Sequence, residues 1–282
     1  MAYNPTRSLG GLLAIAAVSI LYSACALIAP SPAPAPSPES LEFQDRAAQI
    51  QQLTGNIAQR DRALQSMQSA AVMQYFSPDR NPPKVREQIT AKRPDSLRVE
   101  VMSTPFTLAL ILATSGKHLT IFEPSKNKLV QAAATADTLN QFIRIPMAPA
   151  DAVTLLLGIA PGSAALAERK PDTISTEDDM MVASWMVEDS ERRELGFRGG
   201  ELAMVRTRTS TGAIEYEVRY SQYQDLGGLM FPYSIDATFP LAQSRVSFQY
   251  KRPIINGEVP ASTFVLSPPS ATEQANLDNA NP

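Results

Sequence analysis

The sequence is poor in cysteine and histidine, the residues that form disulfides and most transition-metal sites. Its 282 residues include one cysteine, Cys25, and one histidine, His118. A lone cysteine excludes an internal disulfide, and one thiol with one imidazole is too few for a zinc site. The same scarcity leaves few residues for Ser-His-Asp or Cys-His chemistry. Carboxylates cluster at 176–179 and 188–194, but such polar clusters beside predicted strands are usually solvated turns. We therefore expect neither an enzyme nor a bound metal or other cofactor.

The chain also lacks an excess of charge of either sign. It has 25 Lys and Arg against 28 Asp and Glu, and a formal net charge of −3. A nucleic-acid-binding protein needs a basic surface that neutralises phosphates, so we exclude nucleic acid as a partner. Hydrophobic residues make up 44% of the chain, which is enough for a sizeable core. The length fits two ordinary domains or one large β domain with a tail.

The first 40 residues indicate a membrane-targeting segment. Residues 12–29 form an apolar run, close to the minimum of about 18 residues for a spanning helix, and Pro30 ends it. Within this run, "LYSA" immediately precedes Cys25. The stretch resembles a bacterial lipobox, in which the cysteine receives a diacylglycerol group, is freed by cleavage and is acylated again. The leucine stands one position earlier than in the usual pattern.

Three interpretations of this segment are open: a lipid-modified Cys25, an uncleaved N-terminal anchor helix, and a plain secretory signal. The first two both hold the chain on a membrane at its non-cytoplasmic side, and several acyl chains on one cysteine anchor a protein durably. By resemblance to lipoproteins, an alanine rather than an aspartate after the cysteine favours the bacterial outer membrane. We expect a signal peptide over 1–24, followed by the lipidated cysteine and a linker over 25–40. Alternating proline makes this linker an extended spacer.

Beyond the spacer, the pattern predicts one helix and then a series of strands. Apolar residues at helical spacing predict an amphipathic helix over 41–71, weakened in its middle by Gly55. Alternating apolar and polar residues then predict strands with one buried and one solvated face. The strand candidates are 69–77, 84–91, 96–101, 106–114, 118–123, 180–188, 192–197, 201–209, 214–220, 233–239 and 245–250. About a dozen strands joined by short turns predict a large antiparallel sheet that must curl.

A different pattern lies between the two groups of strands. Residues 137–158 predict two short helices, the first beginning at Asp137 and the second opened by Pro149 and ended by Gly158. The second contains "VTLLLGIA", which is apolar on nearly every side. A helix of this kind needs a concave apolar surface to cover it. We therefore expect these two helices to close a hollow in the sheet.

Three motifs, in order along the chain, resemble one protein family. They are "AKRPDSLRVEV" at 91–101, "TSGKHLTIFEPSKNKLV" at 114–130 and "STFVLSPPS" at 262–270. They are similar to motifs of the LolA/LolB superfamily of periplasmic lipoprotein carriers and receptors. With the lipobox, the chain looks more like the outer-membrane receptors than the soluble carriers. The family's "DG" before Lys117 is Ser-Gly here, and residues 160–200 do not align.

This resemblance implies a fold. It is mainly β (α+β): a large curled antiparallel sheet, or half-open β-barrel, with an N-terminal helix and lid helices over an apolar cavity that holds acyl chains. The folded domain would span 41–269, and a disordered tail would follow over 270–282.

The resemblance also implies roles for particular residues. The arginine of the family's "RP" motif bonds to the lid backbone, and Arg93 matches it; the alternative is that Arg93 begins a strand and faces water. A cavity for acyl chains needs apolar walls. For each candidate ordinary core is the commoner role, so we expect some of them, not all, to line a cavity. The candidates are Phe106, Leu108, Leu110, Ile121, Leu155, Leu156, Leu157, Trp185, Phe239 and Phe248, followed by Met181, Tyr216 and Val218.

Three functions follow as hypotheses. The first is an outer-membrane lipoprotein, held by membrane lipid through Cys25 and facing the periplasm. It would bind acyl chains of lipids or lipoproteins during lipoprotein transfer or localisation, with a soluble periplasmic carrier as a further partner. The second is an envelope sensor or interaction module that uses the same fold without cargo. The third is an enzyme, which no residue cluster indicates. An apolar cavity beneath residues 150–158 is the feature that favours the first hypothesis over the second.

Overall fold

The computed structural model describes residues 38–78, 84–104, 107–143, 145–187, 191–267 and 273–276, which all belong to one compact unit. Cys25 lies outside the described residues, and with it the predicted signal, anchor and lipid attachment; Phe106 lies outside them as well. None of the helices in these ranges combines the length and the apolar character needed to span a bilayer.

The described chain is mainly β, with fourteen strands in a single sheet. The strands are β1 Ser66–Phe76, β2 Val85–Lys92, β3 Ser96–Thr104, β4 Thr107–Ser115, β5 His118–Glu123, β6 Lys128–Ala133, β7 Thr173–Glu177, β8 Met180–Met186, β9 Arg192–Arg198, β10 Glu201–Arg208, β11 Ile214–Asp225, β12 Met230–Phe239, β13 Ser244–Ile255 and β14 Glu273–Asn276. Their spatial order is β14-β6-β5-β4-β3-β2-β1-β13-β12-β11-β10-β9-β8-β7. From β6 to β7 in this order every neighbouring pair is antiparallel. The sheet curls without closing, which confirms the predicted fold class.

Cross-strand pairs of apolar side chains build the concave face of the sheet. Ile235 of β12 lies opposite Phe248 of β13, and Ala237 lies opposite Val246. All four side chains are buried. Because successive residues of a strand point to opposite faces, the predicted alternation places these residues together on one side and their polar neighbours on the other.

Helix α1 spans Pro38–Ala63, and its bounds correct two predictions. It begins inside the segment predicted as linker, since proline is well tolerated in the first turn of a helix. It also ends well before residue 71, because Met67 and Ala71 lie in β1 with their side chains buried. A spacing of four residues suits one face of a helix and one face of a strand equally, so this spacing could not separate the two structures.

Three shorter helices follow β6: α2 Ala136–Ile143, α3 Pro149–Leu156 and α4 Ser163–Ala167. The first two confirm the helices predicted within 137–158. Helix α3 packs over β2 and β3, whereas α4 packs against α1. Gly158 ends the α3 segment with φ +70°, and a Cβ there would lie 2.5 Å from Pro232 Cγ. Glycine is therefore required at this turn for both its backbone conformation and its size.

The segment predicted as a disordered tail is partly ordered. Residues Glu273–Asn276 form β14, which pairs in parallel with β6. Backbone hydrogen bonds alone can add a polar segment to an exposed sheet edge, so composition was a poor guide here. The prediction of disorder does not hold for these four residues.

Candidate functional site

A cavity of about 910 Å3 lies between the concave face of the sheet and helices α2 and α3. Its walls come from β1 to β4 on one side and from β11 to β13 on the other, with α2 and α3 above. Most lining side chains are aliphatic or aromatic, and no lysine, arginine or histidine is among the described residues that line it. The site can therefore hold apolar matter but offers no cation for an anionic ligand.

Several of the predicted lining residues do line this cavity. They are Leu110, Leu155, Leu156, Phe239 and Phe248, together with Val218 from the further candidates. The alternation of the strands and the apolar helix in the lid segment were sufficient signals for these residues.

Other candidates are placed elsewhere. Ile121 packs in a separate cluster with Leu119 and Leu139, beneath α2. Leu157 and Trp185 are fully buried in the main core, and the Trp185 indole donates a hydrogen bond to the Arg169 carbonyl. The remaining candidates with described positions outside the lining are Leu108, Met181 and Tyr216. Sequence patterns mark all of these as apolar, but they do not indicate which part of the buried face is filled by neighbouring side chains.

Two tyrosines of the sheet hold the C-terminal end of the lid helix α3. Tyr220 Oη donates a hydrogen bond to the Leu155 carbonyl and Tyr250 Oη donates one to the Leu156 carbonyl, each at 3.0 Å. The last carbonyls of a helix have no intrahelical donor, and the Tyr250 hydroxyl supplies a partner for the Leu156 carbonyl. The Leu155 carbonyl accepts a second bond, from the Gly158 N–H at 3.0 Å. Burial raises the pKa of both tyrosines, which keeps the hydroxyl protons available for donation. The bonds fix α3 over the cavity.

Arg60 of α1 makes a third link to the lid segment. Its guanidinium donates to the Gly158 carbonyl at 2.9 Å and to the Met230 carbonyl at 3.0 Å, and it pairs with Glu201 at 3.2 Å. It also lies over the Tyr223 ring, 5.5 Å from the centroid. This residue was not predicted from the sequence, although an arginine on the apolar face of an amphipathic helix was an available signal. Arg60 is only 7% exposed.

Arg93, the predicted lid latch, makes its bonds on the other side of α1. Its guanidinium donates to the carboxylate and to the backbone carbonyl of Asp61. The Asp61 carboxylate also accepts a hydrogen bond from Ser163 Oγ, at the start of α4, at 3.0 Å. Arg93 therefore joins the beginning of the β2–β3 turn to α1 and, through Asp61, to α4. A bond between Arg93 and residues 137–158 stays a prediction.

Among the described residues of the lining, one carries a carboxyl group, and it was not predicted from the sequence. Glu87 of β2 is 3% exposed, and its Oε2 has no hydrogen-bond partner among the described residues. Burial raises the pKa of this carboxyl to about 8. The strand "VREQITAK" puts Glu87 in register with Val85, Ile89 and Ala91 on the inward side. An acid on the apolar face of an alternating strand was the available signal.

Of the carboxylates at 176–179 and 188–194, those at 188 and 189 lie outside the described residues. The others lie at a different place from the cavity, on the strands β7 to β9 and their turns. Arg206 binds Glu177 at 2.6 Å, Glu194 at 2.8 Å and Glu217 at 2.6 Å. Arg219 pairs with Asp178 at 3.3 Å. The hydrogen bond from Arg206 lowers the pKa of Glu177, so this group stays ionised and paired. The cluster is an ion-pair network, and no group of acidic, histidine or cysteine side chains suited to a metal ion occurs in the described parts of the chain.

Comparison with known proteins identifies the fold. No protein-family model matches the sequence, and no curated protein matches it. Among solved structures, a LolA superfamily protein from Nitrosomonas europaea is 14% identical, with a TM-score of 0.51 over 76% of this chain and 97% of that one. A DUF1329 family protein from Desulfovibrio piger is 10% identical, with a TM-score of 0.53 over 76% and 95%.

A third similar structure, a domain assigned to an outer membrane lipoprotein-sorting protein from Vibrio parahaemolyticus, is 7% identical, with a TM-score of 0.51 over 76% of this chain and 95% of that one. The three likenesses span most of the described residues and nearly the whole of each neighbour. The chain therefore has a LolA-like fold.

Proposed function

We propose that this protein binds acyl chains of lipids or lipoproteins in the cavity under α2 and α3, as a bacterial outer-membrane lipoprotein that takes part in lipoprotein transfer. The observation that carries the proposal is the cavity itself, about 910 Å3 with a mostly apolar lining. A hollow of that size is near the upper end of the roughly 300–1,000 Å3 range of small-molecule sites. Similar structures include a LolA superfamily protein and a domain assigned to outer membrane lipoprotein sorting, which supports the same function.

The physical argument rests on apolar contact without directional bonds. Each methylene that leaves water contributes about 0.8 kcal/mol to binding, so a chain of several methylenes needs no polar partner to bind well. Leu155 and Leu156 of α3 line this volume together with Phe239 and Phe248 of the sheet. The tyrosine hydroxyls and Arg60 meanwhile hold the lid by its backbone carbonyls. The lid side chains are thus left to contact a ligand, and no catalytic group is required.

Attachment to the membrane belongs to the same proposal. A lipid-modified Cys25, followed by the proline-rich spacer, would hold the cavity near a membrane on the periplasmic side and allow exchange with a soluble carrier. Mass spectrometry of the full chain isolated from a bacterial envelope tests the attachment. We expect a mass increase of a diacylglyceryl group and an acyl chain, absent from the Cys25→Ser variant. Lipid on that variant would contradict the attachment at Cys25.

Uptake of an uncharged fluorescent acyl ester by the purified full chain, with unlabelled lipid as competitor, tests the binding. Leu110→Trp should fill part of the cavity and lower affinity roughly tenfold or more, since the ligand then loses the contact area of several methylenes. Leu108→Trp is the matched control, because Leu108 lies on the same strand outside the lining. A parent chain that takes up no lipid would contradict the binding function and favour a sensor or interaction module. Equal effects of both substitutions would contradict this cavity as the site.

A further inference from the structure

Glu87 is the least expected side chain in the cavity wall. It lies on β2 directly opposite Ala71 of β1 and Val101 of β3. Both neighbours are apolar, and Ala71 is too small to reach the carboxyl group. The Oε2 atom is buried and has no hydrogen-bond partner in the described parts of the chain. A buried polar atom of this kind costs free energy unless a hydrogen bond satisfies it, so its presence in a ligand-sized hollow points to a bond supplied by the ligand.

The surroundings determine the protonation state of this group. Tyr250 of β13 is opposite Ala71 and is the titratable residue that faces Glu87 from beyond β1. Its hydroxyl proton is already donated to the Leu156 carbonyl. From α3, the cavity residues are Ala152, Leu155 and Leu156, which are all apolar. Asp151 of that helix instead interacts electrostatically with Arg193 and Glu191. Apart from Glu87 itself, Tyr75 of β1 is the titratable residue among the described residues of the lining. Because no lysine, arginine or histidine is among the described residues that line the cavity, burial keeps the Glu87 carboxyl mostly neutral at neutral pH, and it can donate a hydrogen bond.

We propose that Glu87 is the polar anchor of the cavity and donates a hydrogen bond from its protonated carboxyl to a neutral ester carbonyl of an acyl lipid. This inference rests on the proposed acyl-chain binding and adds the substrate class: esters, rather than plain hydrocarbon or an anionic fatty acid. A carboxylate ligand buried beside Glu87 would bring a charge into a wall without cations, which is costly. An ester carbonyl accepts the hydrogen bond at little desolvation cost, while its chain fills the apolar volume.

The test compares two ligands of similar length, methyl hexadecanoate and heptadecane, as competitors of a fluorescent acyl probe on the purified full chain. The parent should prefer the ester. Glu87→Leu should reduce the affinity for the ester by roughly threefold to tenfold, the usual effect of one hydrogen bond. The same substitution should leave heptadecane binding as tight or make it tighter, since leucine adds apolar surface. An unaltered preference for the ester in Glu87→Leu overturns the inference.

The pH profile separates a ligand bond from a merely structural role. Ester affinity of the parent should be nearly constant from pH 6 to 7 and fall roughly twofold to fivefold by pH 9, because only the protonated fraction of Glu87 donates the bond that is worth threefold to tenfold. Glu87→Gln, which is isosteric and keeps a donor, should abolish this fall while still preferring the ester to heptadecane. A fall of the same size in Glu87→Gln overturns the inference.

Two sources supply such an ester, a membrane glycerolipid and the diacylglyceryl group of a lipoprotein. Competition by dipalmitoylglycerol and by a dipalmitoylglyceryl-cysteine peptide distinguishes them, and displacement by either that depends on Glu87 supports the inference. Displacement by neither overturns it. If the parent binds neither methyl hexadecanoate nor heptadecane, the proposed acyl-binding function fails as well. If it binds both equally, only the role of Glu87 fails.

Discussion

Two regions of one sheet differ in the hydrogen-bond partners that they provide for a buried carboxyl group. In the packed region, β7 to β10, Glu194 is 8% exposed and accepts hydrogen bonds from Arg206 and Arg208, each at 2.8 Å. In the cavity region, β1 to β4 with α3, Glu87 is 3% exposed and its Oε2 has no partner among the described residues. The Glu194 carboxylate therefore has its hydrogen-bond donors within the protein, whereas the Glu87 carboxyl is available to a ligand.

The apolar side chains differ in the same way. Trp185, Leu195 and Phe197 of the packed region are fully or almost fully buried in the main core. In the cavity region, Val99, Val101 and other residues of the wall stay partly accessible around the hollow. An unfilled hollow and an unpaired acid both lower stability, and proteins tolerate such features chiefly at functional sites. The comparison therefore indicates that the packed region stabilises the fold, while the cavity region is adapted to a ligand.

The largest effect should follow removal of the central cation of the packed region. Arg206→Leu leaves Glu194 and Glu217 close together without their shared partner, so we expect the free energy of unfolding to fall by about 3–5 kcal/mol. Denaturant unfolding at pH 7 measures it. Because the hydrogen bond from Arg206 lowers the pKa of Glu177 below its usual 4.5, this stabilisation is present at neutral pH and is lost as pH falls through the folded-state pKa. The difference between parent and variant should shrink in acid.

Arg245→Leu is the matched control for that experiment. Arg245 pairs with Asp236 at 2.6 Å on an exposed part of the surface, where an ion pair contributes about 0–1 kcal/mol. A loss of similar size in both variants would contradict a special role for the buried network.

We expect replacement of the two buried glutamates by glutamine to change the free energy of unfolding at pH 7 in opposite directions. Burial raises the folded-state pKa of Glu87 from 4.5 to about 8. As pH rises, Glu87 therefore ionises at a lower pH in the unfolded chain than in the folded chain. The contribution of the neutral Glu87 to stability is complete below pH 4.5 and is lost progressively up to about pH 8. Glu87→Gln removes this loss and should raise the free energy of unfolding by up to about 3 kcal/mol at pH 7 relative to its effect at pH 4. Glu194→Gln should lower it, since the charge that pairs with Arg206 and Arg208 is removed.

Unfolding curves of both variants and the parent between pH 4 and pH 8 make this measurement. Destabilisation by Glu87→Gln at pH 7 would show that the acid is already satisfied within the protein, and would remove the contrast between the two regions.

A smaller effect is expected at the lid. Tyr250→Phe removes the bond to the Leu156 carbonyl and leaves that carbonyl unsatisfied, at a cost of about 1–2 kcal/mol. Hydrogen exchange of the α3 amides should become faster, and thermal unfolding should occur at a lower temperature. Tyr75→Phe is the control, because Tyr75 lines the cavity but no hydrogen bond to the lid is assigned to its hydroxyl. Equal exchange rates in both variants would contradict the role of the Tyr250 hydroxyl in holding α3.

The smallest effect should come from α1, outside both regions. A Cβ at Gly55 would meet no heavy atom within 4 Å, so Gly55→Ala should stabilise the helix by about 0.5–1 kcal/mol. Lipid uptake should stay the same. Gly158→Ala should instead destabilise the protein, since the positive φ of Gly158 and the nearby Pro232 make any side chain unfavourable. Thermal unfolding of both variants checks the two signs, and stabilisation by Gly158→Ala would contradict the account of this turn.

Much of the cavity was predictable, and the reason is local. The alternation in β12 and β13 identified Phe239 and Phe248 as inward residues, and the apolar helix marked Leu155 and Leu156. The same patterns also selected Trp185, which instead fills the core. Periodicity indicates which face of a strand is buried, but it does not indicate how close the helix or strand packed against that face lies. That distance depends on the crossing of α3 over β2 and β3, which is a long-range property.

The links between elements were harder to predict. Arg60 bonds to Gly158 and Glu201, which lie far from it along the chain. Arg93 bonds to Asp61 of α1, although the family resemblance implied the lid. Long side chains reach partners that differ among proteins with the same fold, so a motif transfers the position of a residue more reliably than its contacts.

The sequence alone determined the alternation that makes a large antiparallel sheet, the two lid helices, and the glycine that ends the second of them, because these depend on neighbours along the chain. Only the tertiary structure decided that β1 to β4 and β11 to β13 enclose a hollow while β7 to β10 are solidly packed. It also decided that the Glu87 Oε2 atom in this hollow has no hydrogen-bond partner among the described residues. The physical reason is that burial and pairing depend on which distant strands and helices meet, and a curled sheet brings them together by its shape rather than by their spacing in the sequence.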